Sequence, residues 1–398
     1  MRRPVRGGLD RILLRGLALA AALVLPLAFV LDPPDGDLTE LGGYAENRFG
    51  PKAPQAIFVP PLAEAARAGA GYDALVFGDG FSRPETTERH GRYGRYWTDH
   101  LRNLTGLTVG VRAAGAAPLA AYLASPDFRE RPPRVVILQL SERDLREPVG
   151  GLDLSTVTTP RPHGVTTLRP LAVEPLNRQP LNRQPRPLER ARAQAWNPPP
   201  VGHALDLLVK ALPRALLNVT SGPVEERSLA YAGLFSSAAA TTTLFRTEDF
   251  QPWRTDHRLL EERRAGLHAI QDAVEANGVT RFLLLIAPDK GTVYADFLLD
   301  PPPRRSAVDE VMAADPTLQA VPLAAGLTAL AAGGVRDLYA PNGSRWGLEG
   351  QLYAARTVAR KLGRLGVLSG ATDPSPDVAI LPCRSGKGDC TPTRTQTD

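Results

Sequence analysis

The sequence predicts a three-layer α/β/α fold built on a parallel sheet and preceded by an N-terminal membrane anchor. Apolar runs rich in branched residues, at 73–77, 135–140 and 282–286, have the composition of strands that are buried on both faces. Apolar residues at helical spacing lie between and after these runs. Strands that alternate with helices along a chain form a parallel sheet covered by helices on both sides.

Residues 1–31 predict the anchor. An uncharged stretch at 16–31, rich in Leu, Ala and Val, follows a cluster of arginines. At ~1.5 Å per residue it spans about 24 Å, which is short for a bilayer but is extended by the apolar residues 12–14. No small-residue cleavage pattern follows, which favours an uncleaved single-pass anchor in the inner membrane, with the main domain in the periplasm. The alternative is a cleaved signal peptide, which changes the attachment but not the compartment.

The charge distribution argues against nucleic acid as a partner. The 398 residues carry 47 basic and 42 acidic side chains, a formal net charge of +5. The excess lies at the N-terminus, which contains Arg2, Arg3, Arg6, Arg11 and Arg15. Beyond residue 31 the charges nearly balance, so the basic surface that nucleic-acid binding needs is not expected.

Helices are predicted between the strands of an α/β domain that covers residues 71–366. The first helical stripe leads to a possible short strand at 107–111 and consists of Tyr93, Trp97, Leu101 and Leu104. A second stripe runs from 260 to 274 and stops at an Asn-Gly pair, and Asp256 is expected at the N-terminus of that helix. A last helix is expected over 352–365.

An insertion is predicted at about residues 150–250. Residues 175–184 are two copies of Pro-Leu-Asn-Arg-Gln, and further prolines follow up to residue 200. Because proline at this density excludes helix and central strand, an exposed extended loop is expected, with a polyproline-type docking segment as the functional alternative. A short amphipathic helix is possible at 205–217, and a polar tail at 367–398 ends the chain.

Cysteine usage agrees with an exported protein. Only Cys383 and Cys390 occur, both in the polar tail, and a disulfide between them is the expected state in an oxidising compartment. A metal pair is the weaker alternative, because two ligands without a nearby His do not make a site. No metal and no cofactor are expected.

Several short blocks together resemble a known family. They are residues 78–82 (Gly-Asp-Gly-Phe-Ser), the helix around Trp97, residues 132–145, residues 284–294 and residues 337–350. From about residue 71 to residue 366 the chain resembles the SGNH-hydrolase-like domain of the alginate O-acetyltransferase family, whose members act on exported polysaccharides. The resemblance implies a flavodoxin-like α/β/α fold with its site at the carboxyl edge of the sheet.

The residues that this family uses for catalysis are replaced. The resemblance places the nucleophilic Ser at Gly80, the Asp at Gly343 and the His at Arg345. Acyl transfer through serine needs a hydroxyl, an imidazole that takes its proton and a carboxylate that orients the imidazole. Glycine has no side-chain oxygen and guanidinium stays protonated, so no intact catalytic residue is expected.

What remains of the site is expected to bind rather than to react. The candidate binding residues are Asp79, Ser82, Gly115, Glu142, Arg143, Asn342, Arg345 and Trp346. Arg345 suits a bidentate contact to an anionic sugar, and the filling of an emptied site explains it equally well. For residues 142–144 a structural ion pair is the alternative, and Asp289 and Lys290 are expected to be a charge pair in a loop.

Three functional hypotheses follow. The first is a non-catalytic glycan-binding or scaffold protein of exopolysaccharide (alginate-like) acetylation or export, whose partners are the polysaccharide and other members of the envelope complex. The second is an active O-acetyltransferase or esterase that uses Ser82 with a relocated His. It requires a His within hydrogen-bond reach, although Ser82 is expected on an opening helix with its side chain turned away. The third is a decayed relative whose site is collapsed or filled by side chains.

Overall fold

The computed structural model describes residues 35–53, 56–84, 94–147, 169–173, 182–183, 210 and 222–369, together with a few positions between 15 and 22. Most of the predicted anchor, most of the Pro-rich segment and both cysteines lie outside these residues, and all three stay predictions. In this described part, no helix is long and apolar enough to span a bilayer.

Helices and strands alternate through most of the described chain. The helices are α1 (Asp37–Gly42), α2 (Glu46–Phe49), α3 (Trp97–Thr105), α4 (Ala116–Leu123), α5 (Pro126–Glu130), α6 (His257–Glu275), α7 (Lys290–Tyr294), α8 (Val308–Ala313), α9 (Ala324–Ala332) and α10 (Leu348–Arg364). The strands are β1 (Ala56–Ile57), β2 (Glu64–Ala65), β3 (Ala74–Gly78), β4 (Val109–Ala113), β5 (Val135–Ser141), β6 (Leu171–Ala172), β7 (Asn182–Arg183), β8 (Val224–Ser228), β9 (Thr242–Arg246), β10 (Arg281–Ala287), β11 (Ala320–Val321) and β12 (Leu368–Ser369).

The central sheet has six strands in the order β11-β10-β5-β3-β4-β2, all parallel. β10 pairs with β5 along its whole length, from Arg281 opposite Val135 to Ala287 opposite Ser141. Because parallel strands share one direction, β3, β5 and β10 end side by side at the same edge. The segments that follow these strands therefore meet there.

Helices cover both faces of the sheet. On one face, Val76, Ile137 and Leu285 belong to an apolar cluster that includes residues of α3, α9 and α10. On the other face, Leu75 and Leu138 pack with residues of α4, α5, α6 and α8. The predicted parallel α/β sheet with helices on both sides is confirmed.

Local capping sets where the predicted helices begin. Asp99 accepts hydrogen bonds from the backbone N–H groups of Gly94 (3.1 Å) and Tyr96 (3.2 Å), so α3 begins at Trp97 and not at residue 93. Asp256 accepts a bond from the N–H of Leu259 (3.1 Å), which confirms its predicted place at the start of α6.

An antiparallel hairpin lies inside the predicted insertion. β8 and β9 pair along their length, and their apolar side chains pack against the N-terminal segment, which we define as residues 35–49. In this small cluster Leu38 and Phe49 are fully buried against Leu244 and its neighbours. The hairpin therefore fixes the N-terminal segment beside the main sheet.

Candidate functional site

The turn after β3 and the loop at 337–347 meet at the carboxyl edge of the sheet. A Cβ atom on Gly80 would lie under 3.0 Å from the guanidinium carbon of Arg345, a separation that real side chains essentially never show. The two positions that the resemblance assigns to nucleophile and base are thus adjacent. The Arg345 guanidinium fills the space that a serine side chain at position 80 would need.

Ser82 does not lie on a helix, so that prediction is wrong. Residues 79–83 form a tight turn in which the N–H of Ser82 donates to the carbonyl of Asp79 (2.9 Å). The turn directs the Ser82 side chain inward, where its hydroxyl donates to Gln139 Oε1 (2.6 Å) and accepts from Trp97 Nε1 (2.9 Å). Neither partner is a base, and the described residues supply no His that bonds to this hydroxyl.

Asp37 is a site residue that sequence reasoning missed. Its carboxylate accepts hydrogen bonds from Arg246 Nη2 (2.9 Å), from the N–H of Ser344 (2.8 Å) and from Ser344 Oγ (2.6 Å). Burial works against ionisation of Asp37, but Arg246, Arg345 and Ser344 together lower its pKa to about 2. A Cβ atom on Gly343 would lie 3.2 Å from Asp37 Oδ1. A carboxylate from the N-terminal segment therefore lies where the resemblance places the acid.

Asn342 and Trp346 are bonded within the protein. The backbone carbonyl of Asn342 accepts from the N–H groups of Leu38 (3.1 Å) and Thr39 (3.2 Å), and its side chain donates to Glu46. Trp346 is 4% exposed and packs edge-on against the ring of Phe81. Its Nε1 donates a hydrogen bond to the hydroxyl of Tyr339 (3.0 Å). Asn342 thus holds the N-terminal segment, and Trp346 belongs to the core.

Glu142 and Arg143 belong to a buried ion network. Glu142 accepts from the N–H of Asp289 (2.8 Å) and from Thr292 Oγ1 (2.7 Å), and its Oε1 lies 3.4 Å from Arg254 Nε. Arg254 also pairs with Asp289, and Arg143 Nη2 lies 3.3 Å from the second oxygen of that carboxylate. Burial, followed by the charge of Asp289, raises the pKa of Glu142. These contacts correspond to the structural alternative for residues 142–144.

Asp289 and Lys290 are not a charge pair in a solvated loop. Both are buried, with relative exposures of 0% and 1%. Lys290 Nζ donates to the carbonyls of Ala340 (3.0 Å), Pro341 (3.0 Å) and Gly343 (3.3 Å), while burial lowers its pKa to about 7. Lys290 therefore holds the loop that carries Arg345.

Asp79 and Gly115 follow β3 and β4 at the same edge. Burial and the nearby charge of Asp144 raise the pKa of Asp79 to about 6, and its carboxylate accepts from the N–H of Phe81 (2.9 Å). Gly115 precedes α4 with φ of 122°, a conformation that glycine adopts without strain. The N–H of Ala114 donates to the carbonyl of Gly78 (2.9 Å), which places the start of the Gly115 turn beside the end of β3.

A cavity of about 420 Å³ adjoins the ion network and was not predicted from the sequence. Its lining includes Asp249, Arg254, Thr292 and Ser306. Burial and the charge of Asp289 raise the pKa of Asp249 to about 7. Within the described ranges, no three His, Cys, Asp or Glu side chains are arranged to hold a metal ion.

At the carboxyl edge of this parallel α/β sheet, the Gly-Asp-Gly-Phe-Ser turn lies against the Arg-Trp loop, an arrangement that agrees with the family resemblance. Residues 242–378, about a third of the chain, match the family of the SGNH hydrolase-like domain of the acetyltransferase AlgX, which confirms the resemblance over that range. The match contains Lys290 and the 337–347 loop, and it begins inside the predicted insertion. No curated protein and no solved structure matches the chain significantly.

Gly80→Ala is expected to lower the free energy of unfolding by about 1 kcal/mol, because the added methyl group meets only the guanidinium end of the flexible Arg345 side chain, which must move aside. In an Arg345→Ala background the same change should cost close to nothing, roughly under 0.5 kcal/mol. Urea unfolding of the four proteins in this double-mutant cycle gives the coupling between the two positions. Equal costs in both backgrounds would show that Arg345 does not fill the position.

Proposed function

We propose that this chain is a membrane-anchored, exported member of an exopolysaccharide acetylation or export system, and that it binds glycan or partner proteins without transferring acetyl groups. The family match over residues 242–378 supports a link to alginate-type acetyltransferases. The Arg-rich start and the apolar stretch at 16–31 support export and anchoring.

The contact between Gly80 and Arg345 carries the non-catalytic part of the proposal. Gly80 offers no nucleophile, and a guanidinium that remains protonated cannot take a proton from one. Ser82 does not replace the lost serine, because its hydroxyl is buried between Gln139 and Trp97. The active-enzyme alternative would need a His from outside the described residues, such as His90.

A filled nucleophile position is also what the decayed-relative hypothesis expects. The two hypotheses differ in whether the protein retains a ligand. The Arg345 loop keeps buried charged and polar groups around it, and groups of this kind recognise anionic sugars. Ligand binding is therefore the property that separates the two hypotheses.

The test combines an esterase assay with a binding assay on the full chain in detergent. The parent and Ser82→Ala are compared for hydrolysis of p-nitrophenyl acetate and for binding of acetylated and deacetylated polyuronate. A silent parent that binds polyuronate supports the proposal. Hydrolysis that disappears in Ser82→Ala would overturn it in favour of the enzyme. A parent that neither reacts nor binds would overturn glycan binding as the retained function.

A further inference from the structure

The contacts of the Asp37 carboxylate are of the kind by which proteins bind the carboxylate of a ligand. It meets one guanidinium donor from Arg246, one hydroxyl and one backbone N–H from Ser344, and the nearby positive charge of Arg345. Charge-assisted bonds of this type are short and strong, and arginine is the usual partner of a bound carboxylate. We call the set Arg246, Ser344 and Arg345 the cradle.

Contacts other than those to Asp37 also position the cradle. Arg246 is the last residue of β9. The loop that carries Ser344 and Arg345 is held by hydrogen bonds from Lys290 Nζ to three of its carbonyl groups. The same loop is closed by a backbone bond from the N–H of Ala340 to the carbonyl of Arg345 (2.8 Å). The receiving groups therefore belong to the α/β domain, whereas the carboxylate comes from the N-terminal segment.

An anion stabilises the cradle electrostatically. It places two guanidinium groups near one carboxylate, and the side chains of Arg246 and Asp37 are 23% and 18% exposed. Like charges in a partly buried site repel unless an anion lies between them. A Cβ atom on Gly343 would lie 3.2 Å from both Ala340 Cβ and Asp37 Oδ1, so the space beside Asp37 is filled and a second carboxylate enters only in place of Asp37.

We propose that the cradle is a carboxylate-binding site, that Asp37 is its intramolecular occupant, and that a carboxylate-bearing ligand binds there by displacing Asp37. This inference rests on the proposed binding function and names the ligand chemistry of that same site. The N-terminal segment directly follows the predicted anchor, so the exchange couples ligand binding to the attachment of the domain at the membrane.

The competition has a predictable direction. Asp37 belongs to a segment that is packed against the hairpin, so it competes at an effective concentration above the roughly millimolar value of a flexible tether, and wild-type protein binds an added carboxylate weakly. Removing the Asp37 carboxylate removes the competitor and leaves the two guanidinium groups without their shared anion. We expect Asp37→Ala to bind glucuronate at least tenfold more tightly than the wild type.

Titration calorimetry on the full chain in detergent, at constant ionic strength, tests this expectation with sodium glucuronate and with glucose as the neutral sugar. Glu349→Ala is the matched control, because it removes an exposed carboxylate beside the same loop. Tighter glucuronate binding by Asp37→Ala, with no gain for glucose or for Glu349→Ala, supports the cradle. A folded Asp37→Ala that gains no affinity overturns it.

Two further measurements cover a variant that does not fold. Asp37→Asn keeps the shape of the side chain and removes the charge, and the same affinity gain is expected from it. In wild-type protein, saturating glucuronate should speed hydrogen exchange of residues 35–49, and unchanged exchange overturns the displacement. Polyuronate binding that is indifferent to Asp37 would overturn the cradle alone, whereas esterase activity that depends on Ser82 would overturn the proposed function.

Discussion

Replacing Arg254 with Met is expected to lower the free energy of unfolding by about 3–5 kcal/mol, because it leaves two buried carboxylates without their main partner. Arg254 is 3% exposed and pairs with Asp289, and its Nε lies 3.4 Å from Glu142. The side chains of the two acids are 0% and 1% exposed. Met has about the length of the aliphatic part of arginine, so packing is largely kept. The lost stability therefore comes mainly from the missing positive charge.

The remaining cation does not compensate for this loss. Arg143 lies 3.3 Å from Asp289, but its side chain is 20% exposed and the structure shows no ion pair from it to Glu142 among the described residues. Lower pH should reduce the loss, because burial already raises the pKa of Glu142, and protonation removes the uncompensated charge. The variant should therefore differ less from the wild type near pH 5 than near pH 8.

Urea unfolding at both pH values measures the effect. Arg258→Met is the matched control, because Arg258 is 91% exposed and lies 3.7 Å from Glu262 on the surface of α6. Its cost should stay below ~0.5 kcal/mol. A loss for Arg254→Met no larger than that of the control would mean that the buried network does not stabilise the fold.

The strands and long helices could be predicted because their signals are local. The apolar run at 73–77 becomes β3, and the run at 282–286 becomes β10, since a strand buried on both faces needs little besides apolar residues. Asp256 was predictable as a cap because capping involves residues three apart in sequence.

The details of the site depended on distant contacts and could not be predicted in the same way. Asp37 reaches Ser344 across about three hundred residues, and no spacing pattern in the sequence links the two. Lys290 is buried because three loop carbonyls converge on it, and the sequence alone gives only a charge next to Asp289. The helix predicted at Ser82 follows from the strand-to-helix turn that the resemblance implies, whereas the Asp79-Gly80 pair is itself typical of the tight turn that forms there.

A double variant, Gly80→Ser with Arg345→His, is expected to hydrolyse p-nitrophenyl acetate at least ~100-fold faster than the parent. His is shorter than Arg, so the change opens the space at position 80 and supplies an imidazole that can accept the serine proton. Gly80→Ser alone should stay silent, because the guanidinium would remain against the new hydroxyl. Serine and histidine act as a unit, so neither change suffices without the other.

Asp37 decides whether a third change is needed. Its Oδ1 lies 3.2 Å from the point where a side chain at position 343 would begin, so Asp37 is placed to orient the introduced imidazole from the N-terminal segment. Adding Gly343→Asp would bring two carboxylates together, and their repulsion should make the triple variant no faster than the double variant. Asp37→Ala in the double variant should remove most of the gained activity.

Initial rates for the double variant, the triple variant and the double variant with Asp37→Ala separate these roles. Ser82→Ala in the double variant is the control, because a gained activity that uses the introduced serine should survive the loss of a hydroxyl bonded to Gln139 and Trp97. A triple variant far faster than the double variant would show that Asp37 cannot act as the acid. A scaffold that still offers backbone donors to an oxyanion needs only a nucleophile, a base and a carboxylate to react. A double variant as silent as the parent would therefore show that the edge of the sheet has lost more than its catalytic side chains.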